Sequence, residues 1–149
     1  MSYELKNKRI HPGYMDKRDY IRPDAYDNFC LEAEECLFES LNFNPDMFYE
    51  VHNISFVLRK AVFIYPQPVK AGEFMDVTSV IKKLGTTSIT FHHTFYKKNS
   101  REGERFEVAT AERVLVCVGR YDRTSTKLPT ILVESIRRVR PDLFDTKKT

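Results

Sequence analysis

The sequence predicts an α+β domain in which one long helix is followed by a meander of antiparallel strands that covers it. Apolar residues recur at helical spacing over residues 24–41, and beyond this segment the period shortens to two residues. The later segments are rich in β-branched and aromatic residues and are separated by short turns that contain Gly, Pro or Asn. Because short turns join antiparallel neighbours, we expect a single sheet that covers the helix.

The predicted helix is amphipathic. Phe29, Ala33 and Leu37 share one face, and glutamates fill most of the other. Asp24 or Asp27 is placed to accept a hydrogen bond from the first free backbone N–H groups. We therefore expect a helix with a buried stripe and a carboxylate cap.

Four strands are predicted over residues 51–64, 74–81, 87–96 and 106–118. In the third strand, alternate residues over 89–95 are apolar, which predicts one dry face and one wet face. His93 lies on the dry face and fits a hydrogen-bonded core histidine better than a catalytic base. An apolar stretch at 131–136 predicts a further strand or short helix, and the basic tail from Arg137 is expected to be frayed.

The composition limits the number of domains and the class of protein. At 149 residues the chain is long enough for one core and too short for two ordinary domains, so we expect a single domain over residues 1–149. The net charge of +3 comes from interleaved acidic and basic residues and does not demand a nucleic-acid partner. No apolar run is long enough to span a bilayer, and the three cysteines match no disulfide or metal pattern. We expect a cytoplasmic protein with free thiols.

Residues 65–77 read Tyr-Pro-Gln-Pro-Val-Lys-Ala-Gly-Glu-Phe-Met-Asp-Val, where an aromatic strand end leads into a proline turn and a Gly-acidic start of the next strand. Further matching segments occur, in order and at matching spacing, within 32–43, 84–91, 108–118 and 127–129. The ordered set covers about residues 14 to 135. It resembles the hotdog-fold acyl-CoA thioesterases, in particular the 4-hydroxybenzoyl-CoA thioesterase-like and Tol-Pal-associated proteins.

The resemblance implies a hotdog fold, in which a curved antiparallel β-sheet wraps a long central helix. It also implies hydrolysis of the thioester of an acyl-CoA or an acyl-carrier protein. The expected assembly is a homodimer that pairs edge to edge and often forms tetramers, with the site at the subunit interface. CoA would enter as part of the substrate, so neither a separate cofactor nor a metal is expected.

The resemblance also indicates where catalysis should occur. In the family, an Asp just before the helix attacks the thioester or activates water, in a motif that reads Asp-x-Asp with a Gly about three residues on. The corresponding stretch, residues 14–24, has a respaced acidic pair and no Gly. Counting back from Glu32 without gaps places Lys17 at the catalytic position, whereas a one-residue shift offers Asp16 and a small insertion offers Asp19. Glu32 is a third candidate, because a distant hotdog branch uses a helix Glu.

For the CoA moiety, the resemblance points to the start of the third strand and to basic side chains near it. The candidate residues are Gly85, Thr86, Thr87, Ser88, Arg59, Lys60, Lys82 and Lys83. Lys and Arg suit phosphate groups, although each of these cations taken alone also fits a solvated strand edge.

The altered Asp motif also supports a function of a different class. A non-catalytic hotdog domain would bind acyl thioesters or act as an assembly or sensing module. Nucleophilic catalysis by Ser or Cys is not supported, because no orienting His lies near the helix cysteines and no elbow glycines flank a Ser. A hotdog dehydratase ranks last, since no His-Asp or His-Glu pair marks the helix start.

Overall fold

The computed structural model describes residues 2–65 and 67–144. A long helix, α1 (Pro23–Ser40), lies against one face of a five-stranded antiparallel sheet. The strands are β1 (Tyr3–Arg9), β2 (Ile54–Ile64), β3 (Phe74–Leu84), β4 (Ser88–Lys98) and β5 (Phe106–Gly119), in the spatial order β1-β3-β4-β5-β2. The predicted α+β class is confirmed, and β2 forms one edge of the sheet.

The start of α1 is set by a proline. Pro23 occupies the first helical position, where its missing N–H is not needed. The N-cap residue is Arg22, which makes no side-chain cap bond, so the predicted capping by Asp24 or Asp27 is wrong. Asp24 is the second residue of the helix and Asp27 the fifth, so neither is the N-cap residue. Asp24 pairs instead with Arg22 (Nε–Oδ1, 3.0 Å), and Asp27 pairs with Arg113 (Nη1–Oδ1, 2.9 Å).

The core lies between α1 and the inner face of the sheet. Ile89, Phe91 and Phe95 of β4 are fully buried, which confirms the predicted dry face of this strand. Two aromatic rings of α1 anchor the helix there. Tyr26 packs edge-on against Phe95, and Phe38 packs edge-on against Phe91. Burying a side chain of this size contributes about 1.5–3 kcal/mol, so these contacts fix the position of the helix on the sheet.

The edge strand β1 is absent from the sequence-based prediction. Its residues are mostly polar, and a bulge at Asn7 (φ 58°) interrupts the alternation that would reveal a strand. The Asn7 N–H donates to the buried Asp76 carboxylate of β3 (2.9 Å). Asp76 also pairs with the buried Lys98 ammonium (3.0 Å), so a hydrogen-bonded ion pair holds β1 to the sheet.

A second short helix, α2 (Pro45–His52), replaces the beginning of the strand predicted over residues 51–64. The Asn44 side chain caps it by accepting a bond from the Met47 N–H (3.2 Å). Asn53 ends it in the left-handed conformation (φ 57°). The Asn44-Pro45 pair therefore starts a new helix, a signal that the strand prediction overlooks.

The chain beyond β5 forms a helix, α3 (Thr130–Val139), so the apolar stretch at 131–136 is helical. Leu132 and Ile136 are fully buried in the core cluster at one end of the sheet. Their four-residue spacing places both on the buried face of the helix. Across residues 2–65 and 67–144, no helix is long and apolar enough to cross a membrane.

The basic tail is ordered further than predicted. After α3, residues Pro141–Phe144 form a 3-10 turn. The Arg140 guanidinium donates to the Ile81 carbonyl oxygen (2.8 Å), which ties the tail to β3. The predicted fraying from Arg137 is therefore wrong over residues 137–144. Residues 145–149 lie outside the described part of the chain.

The turn between β2 and β3 depends on a glycine. Gly72 has φ 92°, a conformation that residues with a Cβ rarely adopt, and its N–H donates to the Ile10 carbonyl oxygen (2.8 Å). This accounts for the glycine in the pattern at 65–77. Pro66 of the same pattern lies outside the described residues.

Candidate functional site

The segment that precedes α1 folds back on itself as a compact loop. Met15 and Ile21 form an antiparallel bridge across it, and the Arg22 N–H donates to the Tyr14 carbonyl oxygen (2.8 Å). The Arg22 guanidinium also donates to the Gly13 carbonyl oxygen (2.7 Å). The tip of this loop, which contains the altered Asp motif, is thus fixed relative to the helix start.

Asp16 lies at the tip of the loop with an exposed carboxylate. Its Oδ1 accepts the N–H groups of Tyr20 (3.0 Å) and Arg18 (2.8 Å). These bonds, that of Tyr20 foremost, hold the pKa of Asp16 below its usual range. Both bonds end on Oδ1, so the carboxylate keeps Oδ2 for another partner.

Asp19 is a turn residue. Its N–H donates to the Asp16 carbonyl oxygen (3.1 Å), and its φ of 65° is left-handed. Glycine adopts this conformation freely, whereas Asp does so at a modest cost. If Asp16 is the catalytic Asp, then Asp19 lies three residues on, where the family motif has its Gly. The backbone of the turn therefore favours the alignment that assigns Asp16.

A cavity of about 480 Å³ opens beside this loop. Its walls include Asp16 and Tyr20 from the loop, Pro23 and Tyr26 from the start of α1, and Tyr65 from the end of β2. A carboxylate, a helix N-terminus and aromatic rings therefore surround one space. This combination suits a ligand that has both apolar and polar parts.

Glu32 lies away from this cavity. Its carboxylate pairs with the Lys8 ammonium of β1 (2.9 Å), on the side of α1 opposite to β2. Neither this cavity nor the larger one described below includes Glu32 in its walls. The structure thus gives Glu32 a surface ion pair.

The buried glutamate of α1 is Glu34, which accepts hydrogen bonds from two strands. Arg113 of β5 donates to it through Nε (2.7 Å) and Nη2 (3.3 Å), and His93 of β4 donates through Nε2 (2.9 Å). His93 Nδ1 lies 2.5 Å from the Ser79 hydroxyl oxygen, so both ring nitrogens are hydrogen-bonded. The Arg113 guanidinium also reaches Asp27. The expectation that His93 is a hydrogen-bonded core histidine is confirmed.

A larger cavity of about 540 Å³ lies beside this network, between α1 and the strands β2 and β5. Glu34 and Arg113 belong to its polar wall, and Phe38, Phe56 and Leu115 contribute apolar surface. The walls of both cavities include residues of β2 or the residue that follows it, Phe56 and Leu58 in one and Tyr65 in the other.

The sequence-based candidates omit Glu34 and Arg113, although Arg113 carried a readable signal. In β5, Ala111, Arg113 and Leu115 alternate towards the core, so a charged residue occupies an inward position of an apolar strand. Burying a guanidinium is costly unless a carboxylate pairs with it, so this position predicts a buried partner.

The candidate CoA-binding turn between β3 and β4 is rigid. The Gly85 N–H donates to the Ser88 carbonyl oxygen (2.8 Å), and a Cβ on Gly85 would lie 2.6 Å from the Ser88 hydroxyl. The carbonyl oxygens of Thr86 and Thr87 accept the N–H groups of Leu128 (3.0 Å) and Cys117 (2.8 Å). The turn therefore presents a fixed surface of small polar residues.

The candidate cations are dispersed around this end of the sheet. Arg59 occupies a bulge in the exposed middle of β2, and Lys60 follows it. Lys82 is neutralised by Glu112 (2.7 Å), whereas Lys83 is exposed beside the turn. The structure does not gather these four cations into one pocket.

The two candidate regions lie at opposite ends of the sheet. Ser88 of β4 and Val57 of β2 both pair with Val116 of β5. The turn that precedes Ser88 therefore lies beside the start of β2. The Asp16 cavity includes Tyr65, just beyond the end of β2. At about 3.3 Å per residue, the two regions are roughly 25 Å apart along the strand. Within one chain, they do not form a single compact site.

Several solved structures share this architecture. The 4-hydroxybenzoyl CoA thioesterase from Pseudomonas sp. strain CBS-3 is similar at a TM-score of 0.80 and 15% identity, over 90% of this chain and 98% of that one. Slr0204 from Synechocystis, a 1,4-dihydroxy-2-naphthoyl-CoA thioesterase, is similar at a TM-score of 0.71 and 16% identity, over 99% and 98%. SAV2348 from Staphylococcus aureus, solved in complex with CoA, is similar at 0.75 and 12% identity, over 92% and 81%.

These similarities confirm the hotdog fold predicted from the sequence. No protein-family model matches the chain, and no curated protein sequence matches it. The likeness therefore lies in the arrangement of the helix and the five strands, and thioesterases recur among the proteins that share it.

Proposed function

We propose that this protein hydrolyses an acyl thioester, with CoA or an acyl-carrier protein as the thiol. The observation that carries the proposal is the position of Asp16. Its carboxylate is fixed by two backbone N–H groups at the wall of a cavity that begins at the N-terminus of α1. A hotdog fold shared with thioesterases supports the same reaction.

The chemistry follows from the state of Asp16. Because its pKa is lowered, the carboxylate is a poor base, and direct attack suits it better than proton removal from water. Oδ2 would attack the thioester carbon, the C–S bond would break, and a mixed anhydride would remain. Water would then hydrolyse the anhydride, releasing the carboxylic acid, regenerating the carboxylate and supplying a proton to the thiolate.

We also propose a homodimer formed through the edge of β2. Leu58 and Val62 are exposed on this edge, and Ile64 is exposed at its end. A two-fold axis near Lys60 would place the start of one β2 beside the end of the other, as antiparallel pairing requires. The partner's β3–β4 turn would then approach the Asp16 cavity. The bulge at Arg59 would interrupt the hydrogen bonds between the two β2 strands near the two-fold axis, so the strands would pair on either side of it.

Replacing Val62 with Glu should convert the dimer into a monomer, because two carboxylates would be forced into an apolar contact. Val139→Glu is the matched control, since Val62 is 44% exposed on β2 and Val139 is 42% exposed on α3. Sedimentation velocity of the wild type and both variants would measure the change. A wild-type monomer, or equal dissociation of both variants, would contradict the proposed interface.

Release of free thiol from a panel of aliphatic and aromatic acyl-CoAs of increasing chain length would test the reaction. We expect turnover with at least one member of the panel and saturation with its concentration. A panel of acyl-carrier proteins with the same acyl groups would identify the preferred thiol. Measurable CoA binding without turnover of any substrate would overturn the proposed hydrolase activity and favour a non-catalytic binding domain.

The non-catalytic binding domain is the rival, and two observations favour it. In the alignment that assigns Asp16, Asp19 takes the place of the family Gly, so a Cβ lies where close backbone approach to the substrate is expected. Pro23 removes the first N–H group that the helix start would offer to an oxyanion. Both features weaken the expected binding of the thioester carbonyl group by the backbone, but the Asp16 carboxylate remains.

A further inference from the structure

An arginine just beyond the end of β5 lies between two tyrosine rings. The Arg120 guanidinium carbon is 4.2 Å from the centroid of the Tyr49 ring in α2 and 5.3 Å from that of the Tyr121 ring. The Arg120 N–H donates to the Asn53 carbonyl oxygen (2.8 Å), and its Nη1 donates to the Tyr49 carbonyl oxygen (3.3 Å). Hydrogen bonds to α2 and its C-cap residue thus hold the cation in a Tyr49–Arg120–Tyr121 stack.

The outer ring of this stack is open to solvent. Tyr121 is 75% exposed, more than any other large apolar or aromatic side chain in residues 2–65 and 67–144. The loop that carries it is closed by two backbone bonds, from the Gly119 N–H to the Thr124 carbonyl oxygen (3.0 Å) and from the Arg123 N–H to the Gly119 carbonyl oxygen (3.1 Å). A hydrogen-bonded loop therefore presents one face of an aromatic ring that packs against no core cluster.

The stack lies beside the β3–β4 turn, the candidate CoA-binding segment. Cys117, four residues before Tyr121, donates its N–H to the Thr87 carbonyl oxygen of that turn (2.8 Å). Arg123 and Lys127 are exposed on the stretch that follows Tyr121 and add positive charge there. An aromatic face backed by a guanidinium, with further cations nearby, suits a planar heteroaromatic ring that carries phosphate groups.

We propose that the stack binds the adenine ring of CoA, which packs face to face on Tyr121 with Arg120 behind the tyrosine ring. This inference rests on the proposed function and makes CoA, rather than an acyl-carrier protein, the thiol. The phosphopantetheine arm of a carrier protein is joined to the protein and has no adenine, so it would leave the stack empty.

The proposed dimer brings the stack to the other candidate region. Gly119 pairs with Ile54 at the start of β2, and the two-fold axis places the start of one β2 beside the end of the other. The partner's stack would therefore lie at the end of β2 that holds the Asp16 cavity. The adenine ring and the thioester of one substrate molecule would then contact different subunits.

Tyr121→Leu tests the proposal, because it removes the exposed ring and keeps an apolar side chain. Loss of one aromatic partner of a stacked base should raise the KM for acyl-CoA by roughly 5- to 100-fold, with little change in kcat. The same acyl group on pantetheine lacks adenine, so the KM for this substrate should be equal in the wild type and the variant. Tyr121→Phe keeps the ring and should restore the KM for acyl-CoA.

Phe106→Leu is the matched control at the other end of the sheet. Phe106 is 50% exposed and pairs with Lys97, far along β5 from the stack. Its replacement also removes an exposed ring, and it should leave the KM for acyl-CoA unchanged. Both leucine variants should keep the wild-type melting temperature, because surface substitutions of this kind change stability little.

A second measurement does not depend on turnover. Ketone analogues of benzoyl- and hexanoyl-CoA, in which a methylene group replaces the thioester sulfur, keep the carbonyl group but resist hydrolysis. Isothermal titration calorimetry would compare their Kd with that of the same ketones on pantetheine. We expect Tyr121→Leu to weaken binding of the CoA analogues by the same roughly 5- to 100-fold and to leave the pantetheine analogues unchanged.

The two measurements separate the two proposals. If no acyl-CoA is hydrolysed but Tyr121→Leu weakens binding of the CoA analogues alone, the hydrolase is wrong and the adenine site stands. If acyl-CoA is hydrolysed and Tyr121→Leu has the wild-type KM and Kd, the adenine site is wrong and the hydrolase stands. Equal weakening of the CoA and pantetheine analogues, or failure of the wild type to bind the CoA analogues, would also overturn the adenine site.

Discussion

Replacing Arg113 with Met is expected to lower the free energy of unfolding by about 3–5 kcal/mol, because Glu34 would remain as a buried charge without a counterion. Both side chains are only 3% exposed, so the lost guanidinium would leave Glu34 largely buried without its charged partner. For a chain of this length, the melting temperature should fall by about 10 °C or more. Chemical denaturation followed by circular dichroism would measure the loss.

Two further variants identify the cause of this loss. Asp27→Asn changes the exposed partner of the same guanidinium and should cost less than about 1 kcal/mol. The double variant Glu34→Gln Arg113→Met removes both charges but keeps an acceptor for His93, so it should recover part of the stability. If Arg113→Met is no less stable than Asp27→Asn, the buried network does not hold α1 to the sheet.

This network illustrates what sequence patterns reveal and what they leave out. The period-two alternation of β4 places His93 inside the core, and the same alternation places Arg113 inside β5. Alternation does not say which residue of the helix meets them. Glu32 and Glu34 are both glutamates of α1, and only the rotation of the helix on the sheet makes Glu34 the buried partner and pairs Glu32 with Lys8.

The sequence predicts those elements whose residue types match the burial of their positions in the fold. The aromatic and β-branched content of β3, β4 and β5 matches their half-buried positions, so their pattern is strong. The polar edge strand β1 lacks such a pattern, because its bulge at Asn7 and its exposure remove the alternation. In α2, the helix-start signal of Asn44 and Pro45 follows closely on the end of α1, which makes it hard to recognise as the start of a new helix.

The candidate site was predictable only in part, because it depends on a loop and on chain packing. The order of segments in the sequence fits the hotdog fold, but it leaves Asp16, Asp19 and Lys17 as alternatives for one position. The φ of 65° at Asp19 favours the alignment that assigns Asp16, since it is a conformation that a glycine adopts freely. Backbone conformation of this kind is not encoded in residue spacing.

Asp16→Asn should reduce kcat for acyl thioester hydrolysis by at least about 10³-fold, because an amide oxygen cannot attack the thioester carbon as a carboxylate does. The amide can still accept the N–H groups of Arg18 and Tyr20 through its oxygen, so the loop should keep its shape. Binding of the non-hydrolysable ketone analogues should therefore persist. Steady-state kinetics with the best substrate of the acyl-CoA panel would measure the effect.

Asp19 provides the matched control for this prediction. Asp19→Asn retains a side chain that tolerates the left-handed conformation, and Asp19→Gly suits it better still, so neither should lower kcat. If Asp16→Asn stays active while Asp19→Asn does not, the alignment that assigns Asp16 is wrong.

The pH profile gives an independent test of the same carboxylate. A lowered pKa means that Asp16 stays ionised as the pH falls from 8 to 5 and accepts a proton only below its ordinary value of 3.8. The acid limb of kcat/KM that Asp16 controls should therefore lie below that value. A limb centred near neutral pH would indicate that a different group carries the reaction, since the two backbone N–H groups stabilise only the charged form of Asp16.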